Sequence, residues 1–212
     1  MSQTHTQTTG IVIKGGRFYD LVAGPLIRTT DAAILARAAV TTGDHVLDVG
    51  TGPGYLAIAA SKLVGSDGLA IGIDASPGMI DRARTLAART LSAATYEVAS
   101  AESLPFDDDV FDVAVSRLVF HHLTGDLKER ALAEIARVLK PNGRLLVADL
   151  ASSAAKHSHR AIAHLLGNHP ETEADLEDLI RGSGFTELTT SKLAHGLLVG
   201  VAARNPERGT PR

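Results

Sequence analysis

Three groups of residues in this sequence have types and spacings that could do chemistry. The first is Asp48-x-Gly50-x-Gly52-x-Gly54 in "VLDVGTGPGYLA" (46–57), an apolar run that carries an aspartate and then breaks into glycines. Such a loop lets backbone approach a polar ligand closely, because glycine has no Cβ and accepts positive φ without strain. The second is the adjacent pair His121 and His122, whose imidazoles suit proton removal near neutral pH. A competing reading has one of them fixing a loop through backbone bonds. The third is His157, His159, His164 and His169, four histidines in 13 residues. A helical metal site favours an i, i+4 pair, whereas the gaps here are 2, 5 and 5, and only His157 and His164 clearly share a face. No metal is expected; the segment reads as a cap over a ligand pocket or as a solvated helix.

The glycine loop has to be matched to a ligand. A P-loop needs four residues between its glycines and then Gly-Lys-Ser/Thr, but Gly54 is followed by Tyr55 and Leu56. That reading fails. A dinucleotide loop of the form Gly-x-Gly-x-x-Gly wants a third glycine for close helix–sheet packing, and counting from Gly50 that slot holds the bulky Tyr55. A nicotinamide-dependent oxidoreductase therefore stays as the less favoured alternative.

Positioning these residues requires an alternation of strands and helices. "HVLDVG" (45–50) is apolar enough for a strand covered on both faces. "YLAIAASKLV" follows as a helix, with Leu56, Ala59, Ala60 and Leu63 at helical spacing and Gly65 closing it. "LAIGID" (69–74) is a second strand, and Ser76 with Pro77 starts a helix that runs to about Thr90. "TYEVAS" (95–100) and "FDVAVS" (111–116) are further strands. Thr124 is placed to cap the helix "DLKERALAEIARVLK", whose Leu127, Ala131, Ile135 and Leu139 form one stripe. "PNG" (141–143) then stops it before a fifth strand, "RLLVADL" (144–150). Thr172 and Asp175 make a capping box for "EADLEDLIRGSG", and "TELTTSKLA" and "LLVGVAAR" follow as two strands joined through "HG". This order predicts an α/β, Rossmann-like doubly wound sheet of seven strands, mostly parallel, with a C-terminal antiparallel hairpin. "GGRFYDLVAGPLIRTTDAAILARAAV" reads as two short helices lying across the strand ends as an N-terminal helical lid.

At 212 residues the chain suits one domain with a substantial core, expected over 11–204 between a disordered 1–10 and a flexible tail, 205–212. The net charge of −3, with lysines and arginines scattered singly, argues against a nucleic-acid partner. Cysteine is absent, which excludes disulfides, thiolate metal sites and cysteine nucleophiles. The polar "MSQTHTQTTG" has no signal-peptide core, and no apolar stretch nears the ~20 residues of a membrane helix. A cytoplasmic protein with no membrane partner is the expectation.

Asp48-x-Gly50-x-Gly52-x-Gly54 resembles motif I of the class I S-adenosylmethionine-dependent methyltransferases. Other elements carry the resemblance in order: Asp74, 20 residues after Gly54; "AESLPFDDDVFD" (101–112); "FHHL" (120–123); "VLKPNGRLLVAD" (138–149); and "FYD" near the N-terminus. The resemblance spans about residues 17–204, and is closest to the small-molecule group that includes ubiquinone and menaquinone biosynthesis enzymes.

It implies that Gly50, Gly52 and Gly54 line the methionine portion of S-adenosyl-L-methionine, and that Asp48 holds its amino group directly or through water. It assigns the ribose to Asp74, the adenosine surroundings to Ala75 and Met79, and an adenine contact to the backbone of Ala101. Ser116 lies beside the methionine end, and Tyr19 closes over the carboxylate. Relatives commonly carry Asp where this chain has Ser100, which accepts the adenine amino bond without adding charge, and Glu102 is placed to compensate.

The implied function is methyl transfer to a small-molecule acceptor by in-line displacement, leaving S-adenosyl-L-homocysteine. His121 and His122 are the candidate bases. The alternative in another class is a protein that binds the cofactor and methylates nothing.

Overall fold

A computed structural model describes residues 29–151 and 172–207, with His195 described by its backbone alone. The expected N-terminal lid falls, up to residue 28 and including Tyr19, outside the described residues, as do His157, His159, His164 and His169.

The elements are α1 (Asp31–Arg37), β1 (His45–Val49), α2 (Tyr55–Val64), β2 (Leu69–Asp74), α3 (Pro77–Thr90), β3 (Thr95–Val98) and β4 (Phe111–Arg117). A 3-10 turn, Phe120–His122, leads to α4 (Gly125–Val138), β5 (Leu139–Leu150), α5 (Glu173–Gly182), β6 (Thr186–Leu193) and β7 (Leu198–Arg204). Strand order is β3-β2-β1-β4-β5-β7-β6. β1 to β5 pair in parallel, and β7 runs antiparallel to both β5 and β6, as the strand pattern predicts. After β1 the chain moves outward through β2 and β3, then crosses back to add β4 on the other side. The carboxyl ends of β1 and β4 therefore flank the switch point, where open α/β sheets bind ligands.

Both faces of the sheet are covered. On one, Ile34, Leu35, Leu56, Ala60, Val64 and Ile80 pack against Val46, Val113, Val115 and Leu146. On the other, Leu132, Ile135, Leu176 and Ile180 pack against Leu47, Val49, Ala114 and Val147. Each fully enclosed Leu or Ile contributes roughly 1.5–3 kcal/mol. Two local devices behave as the sequence predicts. The Ser76 hydroxyl accepts from the Met79 N–H, and Thr172 and Asp175 exchange side-chain and backbone bonds as a capping box.

Three local expectations are corrected. The buried residues of α2 are Leu56, Ala57, Ile58, Ala60, Ser61 and Val64, while Leu63 is 48% exposed. Leu139 is not a helix residue: α4 stops at Val138, and Leu139 opens β5 opposite Phe111. β5 thus begins before Pro141-Asn142-Gly143, whose extra length shifts the register to Val113 opposite Arg144, with Asn142 at φ +61. Thr124 stands at the N-cap of α4, but its side chain makes no capping bond there. Past β7, Asn205 is buried, and its amide donates to the carbonyls of Ala136, Leu139 and Lys140. Among the described residues, no helix is long and apolar enough to cross a membrane.

Candidate active site

The glycine loop leaves β1 by turning sharply. Gly50, Gly52 and Gly54 all have positive φ, but they meet different surroundings. A Cβ on Gly50 would lie 2.2 Å from Val119 Cγ2, and one on Gly54 would lie 2.6 Å from the Tyr96 hydroxyl oxygen. A Cβ on Gly52 would meet nothing within 4 Å. Two glycines thus let protein pack on protein, and the middle one faces open space where a ligand can reach the backbone.

Two carboxylates flank this loop. Asp48, 2% exposed, accepts from the Thr51 hydroxyl at 2.6 Å. Burial pushes its carboxyl up to about 6, a rise that the Thr51 bond and the Arg117 guanidinium reduce and the Asp31 carboxylate reinforces. Asp74, at the end of β2, accepts the Gly52 N–H on one oxygen at 3.0 Å and the Ser76 N–H on the other at 2.9 Å. Burial raises its carboxyl also, and the two backbone bonds oppose that rise. A carboxylate has about four lone-pair positions, so both oxygens keep acceptor capacity beyond these bonds.

Neighbouring strands bring up the remaining residues. Asp74 stands opposite Val98, and the Ala99 N–H binds the Asp74 carbonyl, which fixes the turn holding Ser100, Ala101 and Glu102 beside the β2 end. Ser100 and Ser103 form a short bridge there. Ala75 is exposed, and Met79, half-buried, stands in the first turn of α3. Ser116 is buried opposite Val49 and donates to its carbonyl at 3.1 Å.

The ends of β4 and β5 carry a second constellation. His121 and Asp149 are 5% and 4% exposed. Asp149 accepts the His121 backbone N–H at 3.0 Å on one oxygen, and its other oxygen lies 2.6 Å from His121 Nδ1. A carboxylate can only accept, so Nδ1 carries the proton and Nε2 is the basic nitrogen of the neutral ring. His122 packs against His121 with ring centroids 3.9 Å apart and planes tilted by 45°. Burial and the adjacent His121 press the His122 imidazole down to about 4, so it is neutral through the physiological range. Phe120 is fully buried in the core. Val119 ties this constellation to the glycine loop through its packing on Gly50. Among the described residues, no group of three His, Cys, Asp or Glu could hold a metal.

Residues 46–143 match the family described as methyltransferase domain. The chain is 30% identical over 206 residues to the ubiquinone/menaquinone biosynthesis C-methyltransferase UbiE of Azotobacter vinelandii, covering 84% of this chain and 80% of that one. This chain belongs to the class I S-adenosylmethionine-dependent methyltransferases.

The fold of this methyltransferase recurs in solved structures at low identity. One from Aquifex aeolicus, described as a SAM-dependent methyltransferase, shares a TM-score of 0.68 at 21% identity, covering 85% of this chain and 97% of that one. Another, phosphoethanolamine N-methyltransferase 2 of Haemonchus contortus in complex with S-adenosyl-L-methionine, has a TM-score of 0.70 at 19% identity, covering 92% and 61%.

The methyltransferase's own residues fit the cofactor. Asp48 is a carboxylate whose charge burial disfavours, and a cationic ligand group would offset that cost. Asp74 presents anchored acceptors, and Gly52 leaves room against its backbone. The structure brings Asp48, the glycines, Asp74, Ser100, Ala101 and Ser116 to adjoining strand ends. Four further residues of this region have no signal in the spacing of the sequence: Thr51, Tyr96, Asp149 and Arg117. Tyr96 donates its hydroxyl to the Gly54 carbonyl at 3.1 Å and so props the loop from β3.

Proposed function

We propose that this methyltransferase acts on a small-molecule acceptor whose nucleophilic atom must give up a proton, a phenol or an activated carbon, by in-line displacement. The observation that carries this reading is the buried His121–Asp149 pair, one strand beyond the end of β1 where the cofactor loop begins. S-adenosyl-L-methionine supplies the methyl, and the leaving group is a neutral thioether that needs no acid.

The chain's own work then divides in two. Gly50 and Gly54 shape the loop whose backbone lines the methionine portion, Gly52 gives it the close approach, and Asp48 faces its cationic groups. Asp74 accepts from the ribose hydroxyls, while Ala75, Met79, Ser100, Ala101 and Glu102 border the adenosine. Ser116 stands at the methionine end. On the acceptor side, His121 takes the acceptor's proton on Nε2 as the new bond forms, and Asp149 holds the imidazole in that tautomer. His122, neutral, shapes the wall beside it. Alignment of the reacting groups with water excluded supplies the rest of the acceleration, up to ~7–11 kcal/mol in favourable cases. The relative from Azotobacter vinelandii is named a C-methyltransferase, and methylating carbon requires loss of a proton, which agrees with a base here.

Two titrations and a rate measurement test this. S-adenosyl-L-methionine and S-adenosyl-L-homocysteine should bind and NAD and NADP should not, and Asp74→Ala should weaken adenosyl binding by roughly tenfold to a hundredfold. A panel of phenols, activated carbon acids and amines should then yield product only where a proton is lost. Turnover of the phenol or carbon acid at full rate in His121→Gln would remove the base.

A further inference from the structure

Arg117 is the last residue of β4, directly after Ser116, and its guanidinium is 9% exposed. It forms an ion pair with Asp31, itself 13% exposed, at the start of α1, and the same Nη1 donates to Thr30 Oγ1 at 3.0 Å. Asp48 stands opposite Val115, and side chains of a strand alternate between faces, so Arg117 projects from the sheet face that carries Asp48. α1 packs on that face through Ile34 and Leu35. Two carboxylates and one guanidinium are thus gathered, mostly out of solvent, where the cofactor loop begins. Their net charge of one negative unit complements a methionine portion bearing an ammonium, a carboxylate and a sulfonium.

We propose that Arg117 and Asp31 are positioning residues of the cofactor site, whose ion pair governs how readily Asp48 presents a negative charge to the cofactor and so links cofactor affinity to the docking of α1. This rests on the reading of Asp48 given above. Among the described residues, the groups facing Asp48 are the Thr51 hydroxyl from the loop, Arg117 from β4, Asp31 from α1, the Tyr96 hydroxyl from β3 and the backbone of Ala57 in α2. Arg117 favours the ionised form and Asp31 opposes it. The two members of one ion pair therefore act on Asp48 with opposite sign, whereas a pair that merely docks the helix gives one sign on removal of either partner.

The test is titration of the full chain with S-adenosyl-L-methionine between about pH 5 and 8, in wild type, Arg117→Gln, Asp31→Asn and Asp48→Asn. Wild-type affinity should fall below about pH 6, as Asp48 takes up a proton. Asp74 on β2 adds a contribution common to all four proteins, so the part of the fall lost in Asp48→Asn belongs to Asp48. Arg117→Gln should move that part to higher pH, weakening binding at about pH 6.5 by roughly three- to tenfold. Asp31→Asn should move it to lower pH, so that affinity persists near pH 5.5. Shifts of the same sign, or none, overturn the role of the pair and leave the Asp48 reading intact. A fall unchanged in Asp48→Asn overturns both. Should Arg117→Gln fail to fold, Asp31→Asn decides alone, because loss of docking weakens binding without a downward shift.

Discussion

The ends of β1, β2 and β3 and the ends of β4 and β5 solve different problems with different bonds. On the first side, functional contacts are short in sequence or use backbone: Asp48 with Thr51, Asp74 with the Gly52 and Ser76 N–H groups, Ser100 with Ser103. On the second, side chain meets side chain across a long separation, His121 with Asp149, and the Arg117–Asp31 pair joins the end of β4 to the cofactor side in the same way. A site for an invariant ligand can be built from loop geometry, which few side chains disturb. A site for a particular acceptor has to be assembled by the fold.

The largest effect should come from the second side. His121→Gln and Asp149→Asn are expected to lower kcat by ~10²–10⁴-fold while the Kd for S-adenosyl-L-methionine stays within about twofold of wild type. Equal losses in kcat and cofactor binding would merge the two regions into one. Next, the glycines should separate stability from binding. Gly54→Ala forces a side chain into Tyr96 at φ +87 and should cost roughly 2–4 kcal/mol in denaturant unfolding. Gly52→Ala adds its methyl to open space, so unfolding should change by about 1 kcal/mol while cofactor affinity drops at least about tenfold.

Asp48 allows a finer test. Its carboxyl lies near 6 in the folded chain against 3.8 in a model peptide, so the native state holds its proton more tightly than the unfolded one. The stability this confers is complete below 3.8 and is lost as pH rises to about 6. Asp48→Asn should therefore stabilise the cofactor-free protein by about 1–3 kcal/mol at pH 7.5, and by little near pH 4, while weakening cofactor binding. The smallest effect belongs to His122→Gln. Its imidazole is neutral above about pH 4, so kcat should move by no more than about threefold, and the pH–rate profile between about 5.5 and 8 should keep its shape.

The same contrast explains what the sequence discloses. The glycine loop, Asp74, the Ser76 cap and the Thr172–Asp175 box are legible because each is a local spacing with a local physical cause. The mostly parallel sheet and its terminal hairpin followed from alternation of elements, whereas the order β3-β2-β1-β4-β5-β7-β6 is set by packing. The α2 face was misassigned because "YLAIAASKLV" is apolar on several sides, so Leu63 and Val64 compete for one slot and only packing against the sheet selects Val64. Leu139 was misassigned because helix α4 meets β5 without an intervening loop. Asp149 reads only as a polar residue in "RLLVADL", since its partner is 28 positions away. Arg117 and Asp31 are 86 apart and belong to different elements, and no periodicity connects them.

Tyr96 gives the molecule a built-in optical reporter. The chain has no tryptophan and three tyrosines, so its near-ultraviolet emission is tyrosine emission. One of the three fluorophores rests on the Gly54 carbonyl, with the Asp48 carboxylate as an electrostatic neighbour. Occupation of the loop should change the surroundings of that ring, so that tyrosine emission follows ligand association in unlabelled protein.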